Sequence, residues 1–290
     1  MLKSIIFASS FVLLLLIGVL FWWEFDTDET IVAVLDTGVN NNHKTFEGKI
    51  IEGYNFLDFN KNTSDEDGHG TGIAGLVLQE GGDVKILPVK MIKNKENNYV
   101  IALSILYSVF KGADIINMSF SANTKEKPFI EWAIKYGQSK GVIFVGASGN
   151  DGKRQASFPS SVEGVFSIGN VDFYGDFAET SNYGERIDYV TNGENAAMPM
   201  HNHNKKYTPG KGTSLASGRF SGYIAYLLNM DPSLSKKEIE VIMTECSRTI
   251  IYKNTKFVDI HKRFLESCHK VQRIENKDEN KLVFKFLERK

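Results

Sequence analysis

The sequence predicts an α/β fold: a three-layer sandwich with a central, mostly parallel sheet flanked by helices, preceded by one N-terminal transmembrane helix. Three observations carry this reading. Short continuous apolar runs such as Ile31-Val32-Ala33-Val34-Leu35 and Val142-Ile143-Phe144-Val145 have the composition of strands buried on both faces. Helix-length segments alternate with these runs, as in successive strand–helix–strand crossovers. Residues 5–23 contain no charge and only two polar side chains, Ser9 and Ser10. The chain of 290 residues, 42% apolar and 24% charged with a formal net charge of -1, has room for a substantial core. Its lysines and arginines are dispersed, which argues against a nucleic-acid partner.

As a helix, residues 5–23 rise roughly 28 Å, close to the hydrocarbon thickness of a bilayer. Trp22 and Trp23 fall where an interfacial aromatic belt would lie. Lys3 precedes the run and Glu24, Asp26, Asp28 and Glu29 follow it, which places the N-terminus in the cytoplasm and the rest outside. The reading is an uncleaved anchor in the cell membrane. The alternative is a signal peptide cleaved on secretion, against which stand the length of the run and the lack of a small-x-small site. Residues 1–28 then form anchor and linker, residues 29–268 one folded α/β domain, and residues 269–290 a charged tail, either a peripheral helix or partly ordered.

The first strand, Ile31-Val32-Ala33-Val34-Leu35, ends in Asp36-Thr37-Gly38, and a carboxylate at a buried strand end needs a partner. The loop Asp65-Glu66-Asp67-Gly68 leads into a small-residue helix opened by His69. Residues 84–92 read as a strand and residues 100–110 as an apolar helix stopped at Gly112. A strand over residues 114–120 is followed by a helix over residues 126–138, with Pro128 in its first turn and Trp132 and Ile134 packed inward. Residues 141–147 and 165–169 are further strands. Residues 213–228 are apolar enough for a mostly buried helix. Ser214 stands at its start, where free N–H groups favour negative charge, and Thr213 or Ser214 is positioned to cap it. Small residues at Ala216, Gly218, Gly222 and Ala225 allow close approach of a neighbouring backbone. Ser235 and Glu238 form a capping box with Leu234 and Ile239 as its staple. Cys246 and Cys268 are either one bridge or two buried thiols. His201 and His203 read as part of a polar surface loop rather than a metal pair, since no third ligand lies nearby.

Asp36, Ser119, Asn150 and His69 all stand at element ends that such a sheet gathers on one edge. With Ser214 they occur in the order Asp, His, Ser, each in a glycine-flanked turn beside a buried element. Val34-Leu35-Asp36-Thr37-Gly38-Val39 with the nearby His43, Gly68-His69-Gly70-Thr71-Gly72-Ile73-Ala74-Gly75, Ala147-Ser148-Gly149-Asn150 and Gly212-Thr213-Ser214-Leu215-Ala216 together resemble the subtilisin-like serine proteases, or subtilases. The resemblance spans residues 31–229. It implies a serine endopeptidase in which Ser214 is the nucleophile, His69 the base and Asp36 its orienter, with Asn150 and the Ser214 N–H holding the oxyanion. It further implies that Ser119, Phe120 and Ser121 run beside the substrate, and that Ala147, Ser148 and Gly149 form the other wall of the pocket for the residue before the scissile bond. No cofactor is expected. A calcium loop found in some relatives looks absent, although calcium elsewhere stays possible.

Four features depart from the family pattern. Gly72 replaces a second His, Gly218 replaces a Pro, and Ser121 replaces a Gly, which narrows or redirects the side-chain pocket. The short stretch before residue 31 has no room for the propeptide of many secreted subtilases, so unaided folding is expected. Competing readings are a non-catalytic peptide-binding module, an aspartic protease read from the single Asp-Thr-Gly, and a transacylase using the same residues. The natural substrate is not legible in the sequence.

Overall fold

The computed structural model describes residues 29–93, 98–122, 127–268, 271–276 and 281–286. The expected membrane helix falls on residues 1–28, outside the described residues. Among the described residues no helix is long and apolar enough to cross a membrane.

The first strand, β1 (Ile31–Asp36), is buried at every position and lies third from one edge of a nine-stranded sheet. On one side of it lie β3 (Lys85–Lys90) and the short edge strand β2 (Tyr54–Asn55). On the other side follow β4 (Ile115–Met118), β5 (Ile143–Ala147), β6 (Val165–Val171) and β7 (Tyr189–Asn192). All of these pair in parallel. An antiparallel pair, β10 (Arg248–Tyr252) and β11 (Thr255–Asp259), completes the far edge, with β11 parallel to β7. The strand order therefore reverses between β1 and β4. At such a switch point the connections leave in opposite directions and open a crevice beyond the carboxyl ends of the strands. The residues ending β1 and β4 are Asp36 and, one position past the strand, Ser119.

Alternation along the strands sends Val32 and Val34 to one face and Ala33 and Leu35 to the other. The first face is covered by α1 (His69–Gly81) and α4 (Thr213–Met230), with α5 (Lys236–Glu245) contributing Ile239, Ile242 and Met243. The second is covered by α2 (Asn98–Phe110) and α3 (Lys127–Ser139). The predicted sandwich is thus the observed one. The small residues of α4 act as expected: a Cβ on Gly222 would lie 2.6 Å from Glu80 Cβ and 2.8 Å from the Val77 oxygen. Inside that contact the buried Glu80 carboxylate meets the Arg219 guanidinium, so an ion pair joins α1 to α4.

Several expectations are corrected. Trp132 does not pack inward with Ile134 but lies on the exposed face of α3. The α4 N-cap is Gly212, at φ +129°, and neither Thr213 nor Ser214 caps the helix by its side chain. Residues 200–204 form the polar surface loop expected, and the structure adds that it is the tip of an antiparallel hairpin, β8 (Glu194–Pro199) and β9 (Tyr207–Lys211). Within the charged tail, β12 (Val271–Asn276) pairs antiparallel with β13 (Lys281–Phe286), where a helix was one of the two expectations. The open question on the cysteines resolves as a Cys246–Cys268 disulfide, bridging the end of α5 to the end of α6 (Lys262–Ser267). The Ser235–Glu238 capping box forms as predicted.

Candidate active site

The fully buried Asp36 carboxylate accepts from the Thr37 N–H at 2.7 Å and faces His69 Nδ1, at 2.8 Å to Oδ1 and 2.9 Å to Oδ2. The partner demanded by a carboxylate at a buried strand end is therefore the first residue of α1. Two glycines permit the approach. Gly38 takes φ +113°, and a Cβ on Gly70 would run into the Gly38 carbonyl and sit 3.0 Å from Asp36 Cβ.

The helix carrying His69 has an N-cap, Gly68, with no side chain to satisfy its free N–H groups. Three residues outside the helix do this instead. Asp67 Oδ1 accepts from His69 N at 3.1 Å, Thr37 Oγ1 from Gly70 N at 2.9 Å, and Asp65 Oδ2 from Thr71 N at 2.9 Å. Asp65 also accepts from Thr71 Oγ1 at 2.6 Å and, through Oδ1, from Thr37 Oγ1 and the N–H groups of Asp67 and Gly68. Burial works against its charge, but the hydrogen bonds from Thr71, Gly68 and Asp67 outweigh it and hold the carboxyl below its ordinary range. Asp65 thereby locks the His69 helix to the Asp36 loop. Sequence reading passed it over as part of an acidic loop. The available signal was its place three residues before a glycine N-cap that needs a substitute.

The Asp36 carboxylate pushes His69 up to about 9, against the opposing effect of burial, with Asp67 and Asp65 adding to the rise. With Nδ1 donating to Asp36, the half-buried ring presents Nε2 as its remaining nitrogen.

Ser214 is the second residue of α4, beneath the same crevice. In the free protein its hydroxyl donates to the Ser119 carbonyl oxygen at 3.1 Å and makes no hydrogen bond to His69. Rotation about its χ1, between staggered wells, is what re-aims a serine hydroxyl, and such contacts commonly tighten only with substrate bound. Below it lies a buried polar network. Ser119 Oγ donates to the Ser214 carbonyl at 3.0 Å and lies 2.7 Å from Ser217 Oγ. Asn117 bonds both Ser119 and Ser221. These residues fasten the end of β4 to the first turns of α4. The clue in the sequence was polar Ser217 and Ser221, three and seven positions past Ser214 on one face of an apolar helix.

Asn150 stands at the N-terminus of α4. Its Oδ1 accepts from Thr213 N at 2.9 Å and Thr213 Oγ1 at 3.1 Å. Those donors claim the amide oxygen, so the Nδ2 group of this exposed residue is the one left to donate to a ligand beside Ser214. Thr213 thus orients the asparagine where a cap had been expected.

The two expected pocket walls are bridged by a segment the sequence reading did not assign. Ala122 N donates to the Phe158 oxygen and Ser157 N to the Ser148 oxygen, both at 2.8 Å. Ser157 therefore crosses between the walls, and a Cβ on Gly149 would collide with its hydroxyl. Ser121 is exposed and Gly149, at φ +106°, lies at the other wall, while the side chains of Ser119, Phe120, Ala147 and Ser148 are buried. These four contribute backbone and packing rather than exposed groups.

The Gly72 departure has a local cause: a Cβ there would lie 2.7 Å from Met198 Sδ, so the β8–β9 hairpin fills the space of a larger residue. Gly218 likewise faces Ile73, whose Cγ2 would be 3.2 Å from an added Cβ. His201, on the hairpin tip, packs over Gly68 beside His69, and His203 accepts from Lys205 N at 3.3 Å. His43 is buried, accepting from Thr45 N and donating to the Lys206 oxygen. Among the described residues no group of three or more His, Cys, Asp or Glu could hold a metal ion.

Comparison with known proteins accords with this geometry. The sequence model described as the Subtilase family matches residues 27–271. A thermophilic serine proteinase of a Bacillus species is 33% identical over 208 residues, 68% of this chain and 51% of the relative. The major intracellular serine protease of Bacillus subtilis is 33% identical over 243 residues, 76% of this chain and 75% of the relative. The cell wall-associated protease of the same organism is 31% identical over 241 residues, 78% of this chain but 26% of the relative. The chain thus spans about half of the first relative and about a quarter of the last. Among solved structures, a cold adapted subtilisin-like serine proteinase superposes with a TM-score of 0.73 at 22% identity, covering 82% of this chain and 90% of the other. A lanthipeptide protease gives 0.74 at 20% identity, covering 82% and 88%, a likeness of fold. With the family model matching most of the chain and the fold shared, the chain belongs to the subtilase family of serine endopeptidases.

Proposed function

We propose that the chain is a membrane-tethered serine endopeptidase that hydrolyses peptide bonds through Asp36, His69 and Ser214. The observation that carries this reading is the contact between His69 Nδ1 and buried Asp36, made beside a serine at a helix N-terminus. Ser214 Oγ leaves the Ser119 carbonyl, passes its proton to His69 Nε2 and attacks the scissile carbonyl carbon. The Asn150 amide and the Ser214 N–H receive the resulting oxyanion, and the start of α4 adds a favourable dipole. His69 then gives its proton to the leaving amine, and water repeats the sequence to release the acyl group. Asp36 holds the ring in one tautomer and stabilises its cation. Ser157, between the pocket walls, favours small side chains before the scissile bond. The anchor reading rests on the uncharged residues 5–23 and places the catalytic domain outside the cytoplasm.

The test is intact-mass labelling of the full chain with a fluorophosphonate. One adduct is expected, absent in Ser214→Ala and greatly slowed in His69→Ala. No adduct on a folded protein overturns the catalytic reading in favour of a peptide-binding module. Extraction of expressing membranes with alkaline carbonate tests the tether: release into the supernatant overturns it.

A further inference from the structure

The helix pair α2–α3 combines two features that conflict in an ordinary surface layer. No charged residue occurs anywhere in α2 (Asn98–Phe110), a predominantly apolar composition expected of a helix enclosed on every side. Yet one of its faces is open, with Leu103 and Phe110 each 46% exposed and Tyr99 52%. The neighbouring face of α3 continues the surface through Phe129, 52% exposed, and Trp132, 58% exposed. The rings form one stripe: Tyr99 lies 5.4 Å from Phe129, Trp132 stacks on Tyr136 at 6.0 Å, and Tyr136 lies 6.1 Å from Phe110. Lysines border it, with Lys140 Nζ 5.6 Å above the Tyr136 ring, Lys111 Nζ 5.8 Å above Tyr107, and exposed Lys135 one turn past Trp132. Glu131 is the acidic residue on this stretch of α3.

We propose that the α2–α3 face docks on the surface of an anionic lipid bilayer, resting on the reading of residues 5–23 as a membrane anchor. Aromatic rings with a polar or wet edge suit the headgroup boundary, and lysines beside them reach anionic headgroups while their stems lie on apolar surface. The path of the chain puts the bilayer within reach. Ile31 N donates to Asp114 Oδ2 at 2.8 Å, and Asp114 lies in the turn that follows α2, so the chain enters the sheet at the end of that helix. Residues 24–30 separate that entry from the last tryptophan of the apolar run, a reach of about 25 Å fully extended. Docked in this way, the domain rests one helical layer on the lipid. The crevice at the sheet's carboxyl edge then opens sideways, toward peptides lying near the membrane.

The chain has three tryptophans, which allows a direct test. Full-length Trp22→Phe/Trp23→Phe, carrying Ser214→Ala against self-digestion, reports Trp132 alone; Trp132→Phe in the same Ser214→Ala background reports the anchor. Both are reconstituted into phosphatidylcholine vesicles with and without phosphatidylglycerol, using brominated acyl chains as the quencher. The expected result is a blue-shifted Trp132 emission quenched by brominated lipid, more strongly with phosphatidylglycerol, and weakened by Lys111→Gln/Lys135→Gln/Lys140→Gln. Unquenched Trp132 beside quenched Trp22 and Trp23 overturns the docking and leaves the anchor standing. Quenched Trp132 with unquenched Trp22 and Trp23 supports the docking and overturns the anchor, and no quenching at either place overturns both. Trp132 shielded from acrylamide but untouched by brominated lipid overturns the proposal in favour of a second copy of the chain on this face.

Discussion

Replacing Asp65 by Asn keeps the shape of the side chain and removes its charge, which isolates the role of a carboxylate outside the proposed Asp36, His69 and Ser214 set. Five donors converge on its two oxygens, at 2.6–3.0 Å. An amide can accept at only one of the two positions. If its NH2 group takes the Oδ2 position, Thr71 N loses its acceptor; if it takes the Oδ1 position, the Asp67 and Gly68 N–H groups do. Hydrogen bonds to a charged group contribute about 1.5–3 kcal/mol each, and a buried donor left unsatisfied costs a similar amount. The variant should therefore lose about 3 kcal/mol of stability. With an m-value of roughly 3 kcal/mol per M, that moves the urea midpoint down by about 1 M. The comparison belongs in a Ser214→Ala background, where unfolded chains are not digested. The pH dependence is a sharper check. Because the folded-state pKa of Asp65 is lowered, its contribution is complete above its unfolded value near 4 and is lost as pH falls through the folded value. The difference between parent and variant should be full at neutral pH and shrink below about pH 4. A difference under about 0.5 kcal/mol at neutral pH, or one that does not change with acidification, would refute the assignment of Asp65 as the lock between the His69 helix and the Asp36 loop.

Three further outcomes follow from the geometry. Asn150→Ala should lower kcat by roughly 10²–10³, about 3–4 kcal/mol, with little change in KM, the usual cost of removing one oxyanion donor; steady-state kinetics on a peptide ester that show only a raised KM would contradict it. In the proposed mechanism His69 must be neutral to act as base, and Asp36 pushes it up to about 9, so fluorophosphonate labelling should rise with pH along a limb well above the ordinary histidine value of about 6.5. Asp36→Asn should bring that limb down and slow turnover by about 10⁴, so an unmoved limb would dissociate the two residues. Glu80→Ala leaves Arg219 uncompensated between α1 and α4 and should cost about 3–5 kcal/mol in denaturation, much of it recovered in Glu80→Met/Arg219→Met; equal losses in both would refute a buried charge as the cause.

The limits of the sequence reading are specific. Large aromatic residues tend to bury, which points Trp132 inward, but helical spacing alone does not say which of two apolar faces meets the sheet. Ile134 and Ala133 take that place, leaving Trp132 outside. Thr213 was expected to cap a helix, a local role available to any threonine there. Its hydroxyl instead reaches Asn150, sixty-three positions earlier in the chain. The β8–β9 hairpin escaped notice because its strands are short, half exposed and interrupted by Asn, Pro and Gly, so the alternation of buried and open positions is weak. The two cysteines could be counted, but only the juxtaposed ends of α5 and α6 bring their Cα atoms to 6.0 Å.

By itself the sequence determined the parallel sheet, the helices on both its faces and the capping box, and it singled out Asp36, His69, Asn150 and Ser214 as the candidate site. Each of these is written in contiguous residues: apolar runs, turn glycines and caps act over a few positions. The tertiary structure alone decided how Asp65 replaces the missing cap of the His69 helix, where the Ser214 hydroxyl rests, why Gly72 must be small against Met198, and which aromatic residues of α2 and α3 stay in the open. Those depend on distances between segments far apart in the chain, and such distances come into being only when the sheet reverses its order between β1 and β4 and gathers the ends of its strands along one edge.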